Sequence, residues 1–259
     1  MFKSSLVSVI MNCHNSQKYL KQSISSVINQ SYKNWEIILW DNKSTDKSRE
    51  IVKSFKNKKI KYFFSKKLTK LGKARNLAVK KAKGKYVAFI DTDDTWPKNK
   101  LKIQMNFLKK NKLKICFTNF NNFYQKTKIK ERKVKKYIKK ITTQSLLDDY
   151  PLGIITVIME KSLFKIKKFN EKLNILEDFD LFIHLSCITN IGFINKVLAD
   201  YRIHGTNLTI KKNNIYINEL KKWIKDNENK FLKKNISLTM QKKYLIKLQI
   251  KRLFNLPMF

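Results

Sequence analysis

Three aspartates lie within four consecutive positions, Asp91-Thr92-Asp93-Asp94, in a chain that has few acidic residues. The 259 residues include 19 aspartates and glutamates against 57 lysines and arginines, so this cluster stands out from its background. Adjacent carboxylates repel one another, and a divalent cation bound with substrate phosphates relieves that repulsion. A second interpretation is that the aspartates begin a helix, because the helix dipole favours acids in its first turn.

The segments around this cluster alternate between strands and helices. Strand-like runs followed by apolar residues at helical spacing cover residues 6–28, 35–55 and 60–82, and a short apolar run at 86–90 precedes the aspartates. This alternation predicts an α/β fold with a mainly parallel central sheet covered by helices on both faces. Ligands of such sheets bind beyond the carboxyl ends of the strands. The polar residues that follow the strands, including Asn15, Asp41 and Asp91, are therefore candidate binding residues.

Two predictions concern the ends of helices near the cluster. Gly84 is expected to close the preceding helix in a left-handed conformation, and Pro97 is expected to be the first residue of the next helix. Beyond residue 110 the alternation becomes irregular. Strands are expected at 115–118, 154–159, 192–197 and 199–203, and a helix at 178–189, and these elements would complete the same sheet.

The formal net charge of +38 is the most extreme property of the composition. Clustered lysine and arginine side chains bind nucleic-acid phosphates, but here they are spread over every segment. This spread indicates that most of them are solvated surface residues. The second interpretation is that they attract the protein to an anionic membrane. No apolar stretch approaches the roughly 20 residues that span a bilayer, and residues 1–10 lack a signal-peptide pattern, so a cytoplasmic location is expected. The three cysteines, Cys13, Cys116 and Cys187, are far apart and are predicted to be free thiols.

Several blocks of sequence surround the candidate residues. Four lie at 7–15, 30–46, 72–78 and 84–94, and the last two read Glu177-Asp178-Phe179-Asp180-Leu181 and Tyr201-Arg202-Ile203-His204-Gly205-Thr206-Asn207. In this order the blocks resemble family 2 glycosyltransferases with the GT-A fold. The resemblance covers about residues 6–209 and implies a GT-A domain with a mixed, mainly parallel sheet. Residues 1–110 would form its nucleotide-sugar-binding half, 111–210 its acceptor-binding half, and 211–259 a basic amphipathic helical tail.

The resemblance also implies roles on the nucleotide side of the site. Asp41 would contact the nucleobase or ribose, with Asn15 and Arg75 nearby on the nucleotide. Asp91 would contact the ribose or the surroundings of the metal. Asn42 stands where the family usually has a second aspartate.

Metal binding and proton transfer are assigned by the same resemblance. Asp93 would bind Mn²⁺ or Mg²⁺, His204 would add a ligand to the metal or the diphosphate, and Asp94 would orient either. Asp178 would be the general base that takes the proton from the acceptor hydroxyl, which gives inversion at the anomeric carbon. Glu177 and Arg202 are supporting candidates. The alternative for both Glu177 and Asp178 is a pair of ordinary acids in the first turn of a helix. The alternative for Arg202 is a simple ion-pair partner, and that for His204 is a buried histidine with its hydrogen bonds satisfied.

The predicted function is inverting transfer of a hexose or N-acetylhexosamine from a nucleotide-diphosphate donor, in the first instance a UDP-sugar. The expected acceptor is a glycan or lipid-linked glycan hydroxyl in bacterial surface polysaccharide synthesis. The tail has apolar stripes on two lysine-rich helices. This pattern is typical either of helices that bind the inner face of an anionic membrane or of helices that pack on the catalytic domain. One alternative is a basic nucleic-acid-binding module without catalysis, although no specific nucleic acid is expected. The other is a sugar nucleotidyltransferase, which needs a Gly-rich, Arg-containing loop where residues 13–17 have neither.

Overall fold

A computed structural model of the protein describes residues 4–133, 141–205 and 213–254. Its centre is an eight-stranded mixed sheet with the strand order β3-β2-β1-β4-β7-β5-β6, and β8 pairs with β5 outside this path. The first four strands are parallel, β7 is antiparallel to both β4 and β5, and β8 runs parallel to β5. The predicted α/β class and the single shared sheet are confirmed.

The first half of the chain follows the predicted alternation. The strands are β1 (Val7–Cys13), β2 (Trp35–Asp41), β3 (Ile60–Phe64) and β4 (Tyr86–Phe89). The helices are α1 (Leu20–Ile28), α2 (Ser48–Ser54) and α3 (Leu71–Lys81). Every residue of β2 and β4 is buried, as expected for strands covered on both faces.

The second half is more irregular. It contains α4 (Lys100–Lys110), β5 (Ile115–Tyr124), β6 (Lys130–Lys133), α5 (Thr143–Asp148), β7 (Ile158–Glu160), α6 (Glu177–Ser186) and β8 (Ile191–Ile203). The predicted strand at 154–159 is wrong in its first part, because Ile154–Thr156 forms a turn of 3-10 helix and only a three-residue strand follows. The two strands predicted at 192–197 and 199–203 are one continuous strand, whose pairing with β5 is interrupted by register shifts.

The helix predicted from Pro97 begins three residues later, at Lys100. In a helix that began at Pro97, the Leu101 amide would donate to the Pro97 carbonyl. The buried side chain of Gln30 instead bonds both groups: its Nε2 donates to the Pro97 carbonyl at 2.8 Å and its Oε1 accepts from the Leu101 amide at 3.1 Å. This tertiary contact takes the place of the first helical hydrogen bond.

Gly84 does not adopt the predicted left-handed conformation, since no described glycine has a positive φ. It is needed for a different reason. A Cβ at this position would lie 2.7 Å from both the Leu6 carbonyl oxygen and the Ser8 amide nitrogen. The approach of β1 to the start of β4 therefore leaves no room for a side chain.

The tail contains α7 (Asn213–Leu232) and α8 (Thr239–Leu253). The stripe predicted on the first of them, Leu220, Trp223 and Ile224, is buried and joins the main hydrophobic core. For α7, packing on the catalytic domain is therefore the correct alternative. No described helix is long and apolar enough to cross a membrane. Cys13, Cys116 and Cys187 are free thiols, as predicted.

Candidate active site

A cleft of about 1160 Å³ opens at the edge of the sheet where β1 and β4 end. Because β8 runs in the same direction as these strands, its carboxyl end reaches the same edge. Seven of the ten predicted site residues line this cleft: Asn15, Arg75, Asp91, Asp93, Glu177, Asp178 and His204. The remaining three, Asp41, Asp94 and Arg202, lie behind its walls.

Backbone hydrogen bonds connect the turn after β4, at residues 91–95, to β8. Thr95 and Asp200 exchange two of them, with N···O distances of 3.2 and 2.9 Å. This pairing brings Asp93 next to His204, whose Nε2 lies 2.9 Å from the Asp93 Oδ2. Burial raises the pKa of Asp93, and the nearby Asp91 carboxylate adds to the increase. Both side chains keep partial access to the cleft, at 29% exposed for Asp93 and 13% for His204.

Asp94 and Arg202 stabilise this turn from behind. Asp94 is fully buried, and its Oδ1 accepts a hydrogen bond of 2.7 Å from the Arg202 amide. Burial and the adjacent carboxylates raise the pKa of Asp94 well above its ordinary value. The Arg202 guanidinium donates to the Asp93 carbonyl oxygen at 2.6 Å and packs between the rings of Tyr19 and Phe123. These contacts give both residues a supporting role.

Arg75 joins the two sides of the cleft. It lies on α3, is buried, and forms ion pairs with Asp91 at 3.2 Å and with Glu177. Burial raises the pKa of Glu177 to about 7, although Arg75 opposes the increase. With both of these partners, Arg75 orients acidic groups of the cleft, which it also lines. Its place beside the nucleotide stays a prediction.

Asp178 stands in the first turn of α6, facing the cleft beside Glu177. Its Oδ1 accepts a hydrogen bond of 2.6 Å from the Phe179 amide. Burial raises the pKa of Asp178 to about 6, against the influence of Arg75. The carboxylate is therefore ionised at neutral pH and yet more basic than an ordinary aspartate. Such a group suits proton abstraction.

Asp41 does not reach the cleft, contrary to the prediction that it contacts the nucleobase or ribose. It is fully buried, its Oδ1 accepts from the Ser44 amide at 2.7 Å and its Oδ2 accepts from the Tyr62 hydroxyl at 2.6 Å. Its carboxylate thereby holds the loop after β2. That loop also contacts Asn15, whose Oδ1 accepts from the Thr45 amide at 2.8 Å. Asn15 itself lines the cleft.

One further cleft residue was missed by the sequence reasoning. The hydroxyl of Tyr150 is buried and has no hydrogen-bond partner among the residues that the structure describes. Its ring packs edge-on against Phe179, with the ring centroids 4.9 Å apart. Tyr150 lies in an irregular segment after α5, where no periodic pattern marks it. Only the folding of that segment against α6 places it near Asp178.

A mixed sheet with acidic side chains gathered at the carboxyl ends of its parallel strands has the architecture of GT-A glycosyltransferases. Residues 8–171 match the sequence model of Glycosyl transferase family 2, and the chain belongs to this family. The family supports the predicted glycosyltransferase over the nucleic-acid-binding module and the sugar nucleotidyltransferase.

Relatives of known name and solved structures agree with this family. The UDP-Glc:alpha-D-GlcNAc-diphosphoundecaprenol beta-1,3-glucosyltransferase WfgD of Escherichia coli is 31% identical over 211 residues, which are 80% of this chain and 81% of that protein. TarS 1-349 of S. aureus, in complex with UDP-GlcNAc, superposes with a TM-score of 0.67 at 22% identity, over 84% of this chain and 66% of that one. The mannosyltransferase PcManGT of Pyrobaculum calidifontis, in complex with GDP-Man and Mn²⁺, gives a TM-score of 0.66 at 14% identity, over 86% and 65%. The chain spans only about a third of the length of three rickettsial glycosyltransferases that it also matches.

Proposed function

We propose that the protein transfers a sugar from a nucleotide-diphosphate donor to a glycan hydroxyl, with inversion at the anomeric carbon. The observation that carries this proposal is the arrangement of one cleft, which Asp93 and His204 line beyond the ends of β4 and β8 and which Asp178 lines from α6. Arg75 connects the two sides through Asp91 and Glu177. The name of WfgD supports a UDP-sugar donor and a lipid-linked glycan acceptor.

Asp93 and His204 are suited to hold a divalent cation together with the donor diphosphate. Their ligand atoms converge within 2.9 Å at the cleft, and a carboxylate with an imidazole is an acceptable set for Mn²⁺. No group of three or more His, Cys, Asp or Glu side chains among residues 4–133, 141–205 and 213–254 could hold a metal alone. Diphosphate oxygens and water would complete the coordination. Bound there, the cation would neutralise charge on the departing diphosphate.

Asp178 then acts as the general base. Its pKa of about 6 leaves it ionised at neutral pH, so it can accept the proton of the acceptor hydroxyl as that oxygen attacks the sugar. Glu177 stays bound to Arg75, and this ion pair keeps the start of α6 against the donor side of the cleft.

A thermal-shift and activity panel with UDP-, GDP-, CMP- and TDP-sugars, each with and without Mn²⁺, tests this function. One donor is expected to stabilise the protein, and to do so mainly with metal. Asp178→Asn should lower kcat by about 10²-fold or more while keeping this stabilisation, and Asp93→Asn should lose its metal-dependent part. Asp148→Asn, which changes an exposed aspartate on α5, is the control. A parent protein that no donor stabilises, or full activity in both cleft variants, would refute the proposal.

We also propose that α8 binds an anionic membrane surface. Its apolar stripe is exposed, at 55% for Ile246, 50% for Ile250, 76% for Leu253 and 66% for Phe254, and lies opposite the buried Leu248. Lysines at positions 243 and 247 and an arginine at 252 are exposed beside it. In a lipid bilayer, such exposed apolar side chains can enter the acyl region while the cations beside them contact the anionic headgroups. A lipid-linked acceptor, which must be reached at such a surface, agrees with this placement.

Cosedimentation with vesicles of phosphatidylglycerol or of phosphatidylcholine tests the membrane surface. The protein is expected to bind the anionic vesicles, and salt should weaken this binding. Binding should also decrease in an Ile246→Ser/Ile250→Ser variant. Leu232→Ser is the matched control, because Leu232 is equally exposed, at 56%, at the end of α7. Equal sedimentation with both lipids, or an equal loss in the control variant, contradicts this role of α8.

A further inference from the structure

Glu219 of the tail helix α7 bonds the turn that leads into α6. Its Oε1 accepts hydrogen bonds from the Asn174 amide at 2.6 Å and from the Asn174 side-chain nitrogen at 3.2 Å. Its Oε2 accepts from the Ile175 amide at 3.0 Å and from the Leu176 amide at 3.1 Å. Glu219 is 9% exposed, so these four bonds lie in a largely dry environment. They fix three consecutive backbone amides directly before Glu177.

This contact supplies what the start of α6 lacks locally. The first amides of a helix have no partner within the helix, and a nearby side chain usually accepts from them. The N-cap residue, Leu176, has no side chain that can do so. A carboxylate beside a helix N-terminus also interacts favourably with the helix dipole. Among the amides that Glu219 binds, that of the N-cap residue Leu176 belongs to the start of α6, and those of Asn174 and Ile175 lie in the turn before it. Glu219 therefore anchors this turn from a different helix, across a long stretch of chain.

A second contact, one helical turn along α7, strengthens the same attachment. Trp223 donates from its indole nitrogen to the Asp180 Oδ1 at 2.9 Å and packs edge-on against Phe179 at 4.8 Å between ring centroids. Burial disfavours the charged form of Asp180, yet hydrogen bonds from His184 and Lys167 hold its pKa at about 2. Residues 219 and 223 thus attach α7 to both the beginning and the first turn of α6.

We propose that Glu219 is a positioning residue, which fixes the backbone of residues 174–176 and thereby holds the Asp178 carboxylate at the acceptor side of the cleft. This inference rests on the proposed function of Asp178 as general base. Glu219 itself does not line the cleft, but Asn174 and Ile175, which it binds, do. Helix α7 therefore contributes to catalysis through these two residues. The tail is then part of the active-site framework.

The groups around Asp178 determine how its pKa would change if the start of α6 became looser. The charged and titratable groups that act on it or feel its charge are Arg75 of α3, Asp91 after β4, Glu177 beside it, Tyr150 after α5 and Tyr216 of α7. Burial is the largest influence on the pKa of Asp178 and raises it. Loosening the start of α6 would admit water and lower that pKa. Since the base works when ionised, the acid limb of kcat would move to lower pH.

The experiment compares Glu219→Gln with Asp226→Asn in the full chain. Each substitution removes one negative charge from α7, but Asp226 is 48% exposed and pairs with Lys222 on the same helix. The Gln side chain places an NH₂ group where one carboxylate oxygen now accepts, so at least one backbone amide loses its bond. Hydrogen exchange at Ile175 and Leu176 should become about ten-fold faster in Glu219→Gln, and stay unchanged in Asp226→Asn.

Kinetics test the effect on the base. Glu219→Gln is expected to lower kcat about ten-fold, with the donor KM unchanged and the acid limb of kcat shifted to lower pH. Glu219→Asp, which keeps the charge on a shorter side chain, should fall between Gln and the parent. A variant that is only less stable would keep the pH profile of the parent once its activity is divided by the folded fraction measured at each pH, because the pKa of Asp178 in the folded protein would not change.

Each outcome bears on a separate claim. Unchanged exchange at residues 175 and 176, or faster exchange with normal kcat and pH profile, overturns the role of Glu219. A parent protein without any glycosyl transfer refutes the proposed function, and the catalytic role of Glu219 falls with it, whereas the exchange difference still reports the attachment of α7 to α6.

Discussion

Replacing Arg75 by methionine should destabilise the protein in a way that depends on pH. Arg75 is buried and paired with both Asp91 and Glu177, so its removal leaves two acids without their cation. Breaking a buried ion pair by removing one partner costs roughly 3–5 kcal/mol. Lys73→Met is the matched control, because Lys73 is an exposed cation on the same helix, and its loss should change stability by less than about 0.5 kcal/mol.

The pH dependence follows from Glu177. Burial raises its pKa from 4.5 to about 7, so the contribution of Glu177 to the stability of the parent protein falls as pH rises from 4.5 to about 7 and is then constant. Arg75 lowers this pKa, and without it the pKa moves above 7 and stability continues to fall. Each pH unit of continued fall costs about 1.4 kcal/mol. Between about pH 7 and pH 8.5 the variant should therefore lose about 2 kcal/mol more than the parent.

Urea unfolding near pH 5.5, 7 and 8.5 measures these differences. Adding Glu177→Gln to Arg75→Met should reduce the extra loss at high pH, since the amide carries no charge. The part that remains would come from Asp178, whose pKa Arg75 also lowers. The reasoning is refuted if Arg75→Met is equally destabilised at all three pH values, or if the second substitution leaves the high-pH loss unchanged.

Three further predictions concern other sites. The kcat of the parent enzyme should fall below about pH 6, where Asp178 becomes protonated, and a profile that stays flat to pH 5 would exclude it as the base. Gly84→Ala should cost about 1–3 kcal/mol in thermal or urea unfolding, because its Cβ would meet backbone atoms at 2.7 Å, whereas Gly205→Ala should be nearly neutral since nothing described lies within 4 Å. Burial lowers the pKa of Lys100 from 10.5 to about 7, so folding releases its proton and stability should rise by about 2 kcal/mol between about pH 7 and 8.5. Lys100→Met should abolish that rise, and an unchanged rise would contradict the burial of the ammonium group.

The parts of the molecule that the sequence predicted well are those in which local pattern and tertiary role coincide. The four parallel strands of the first half are apolar runs buried on both faces, and the polar turns after them must lie at one edge of the sheet because the strands are parallel. The pattern therefore predicts correctly that Asn15 and Asp91 line one cleft. The acidic turn at 91–94 was recognised for the same reason.

Most of the predictions that the structure corrects involve a contact with a residue far away in sequence. The helix start at Pro97 is displaced by Gln30, and Gly84 is required by the approach of β1 rather than by a left-handed turn. Asp41 follows a strand like the other candidates, but Ser44 and Tyr62 bond both of its oxygens in the interior. Strand 154–159 is shortened where the chain turns to insert β7 between β4 and β5.

The α/β class, the position of the cleft and the kinds of side chain that face it follow from residue types alone, because periodicity and the order of strands are local properties of the chain. How those side chains work together depends on contacts that form only in the folded protein. The pairing of Asp93 with His204 depends on the attachment of the turn after β4 to β8, and the hold of Glu219 on the start of α6 depends on where the tail packs. Such contacts join distant residues through complementary charge and shape, and a single sequence carries no periodic signal for them.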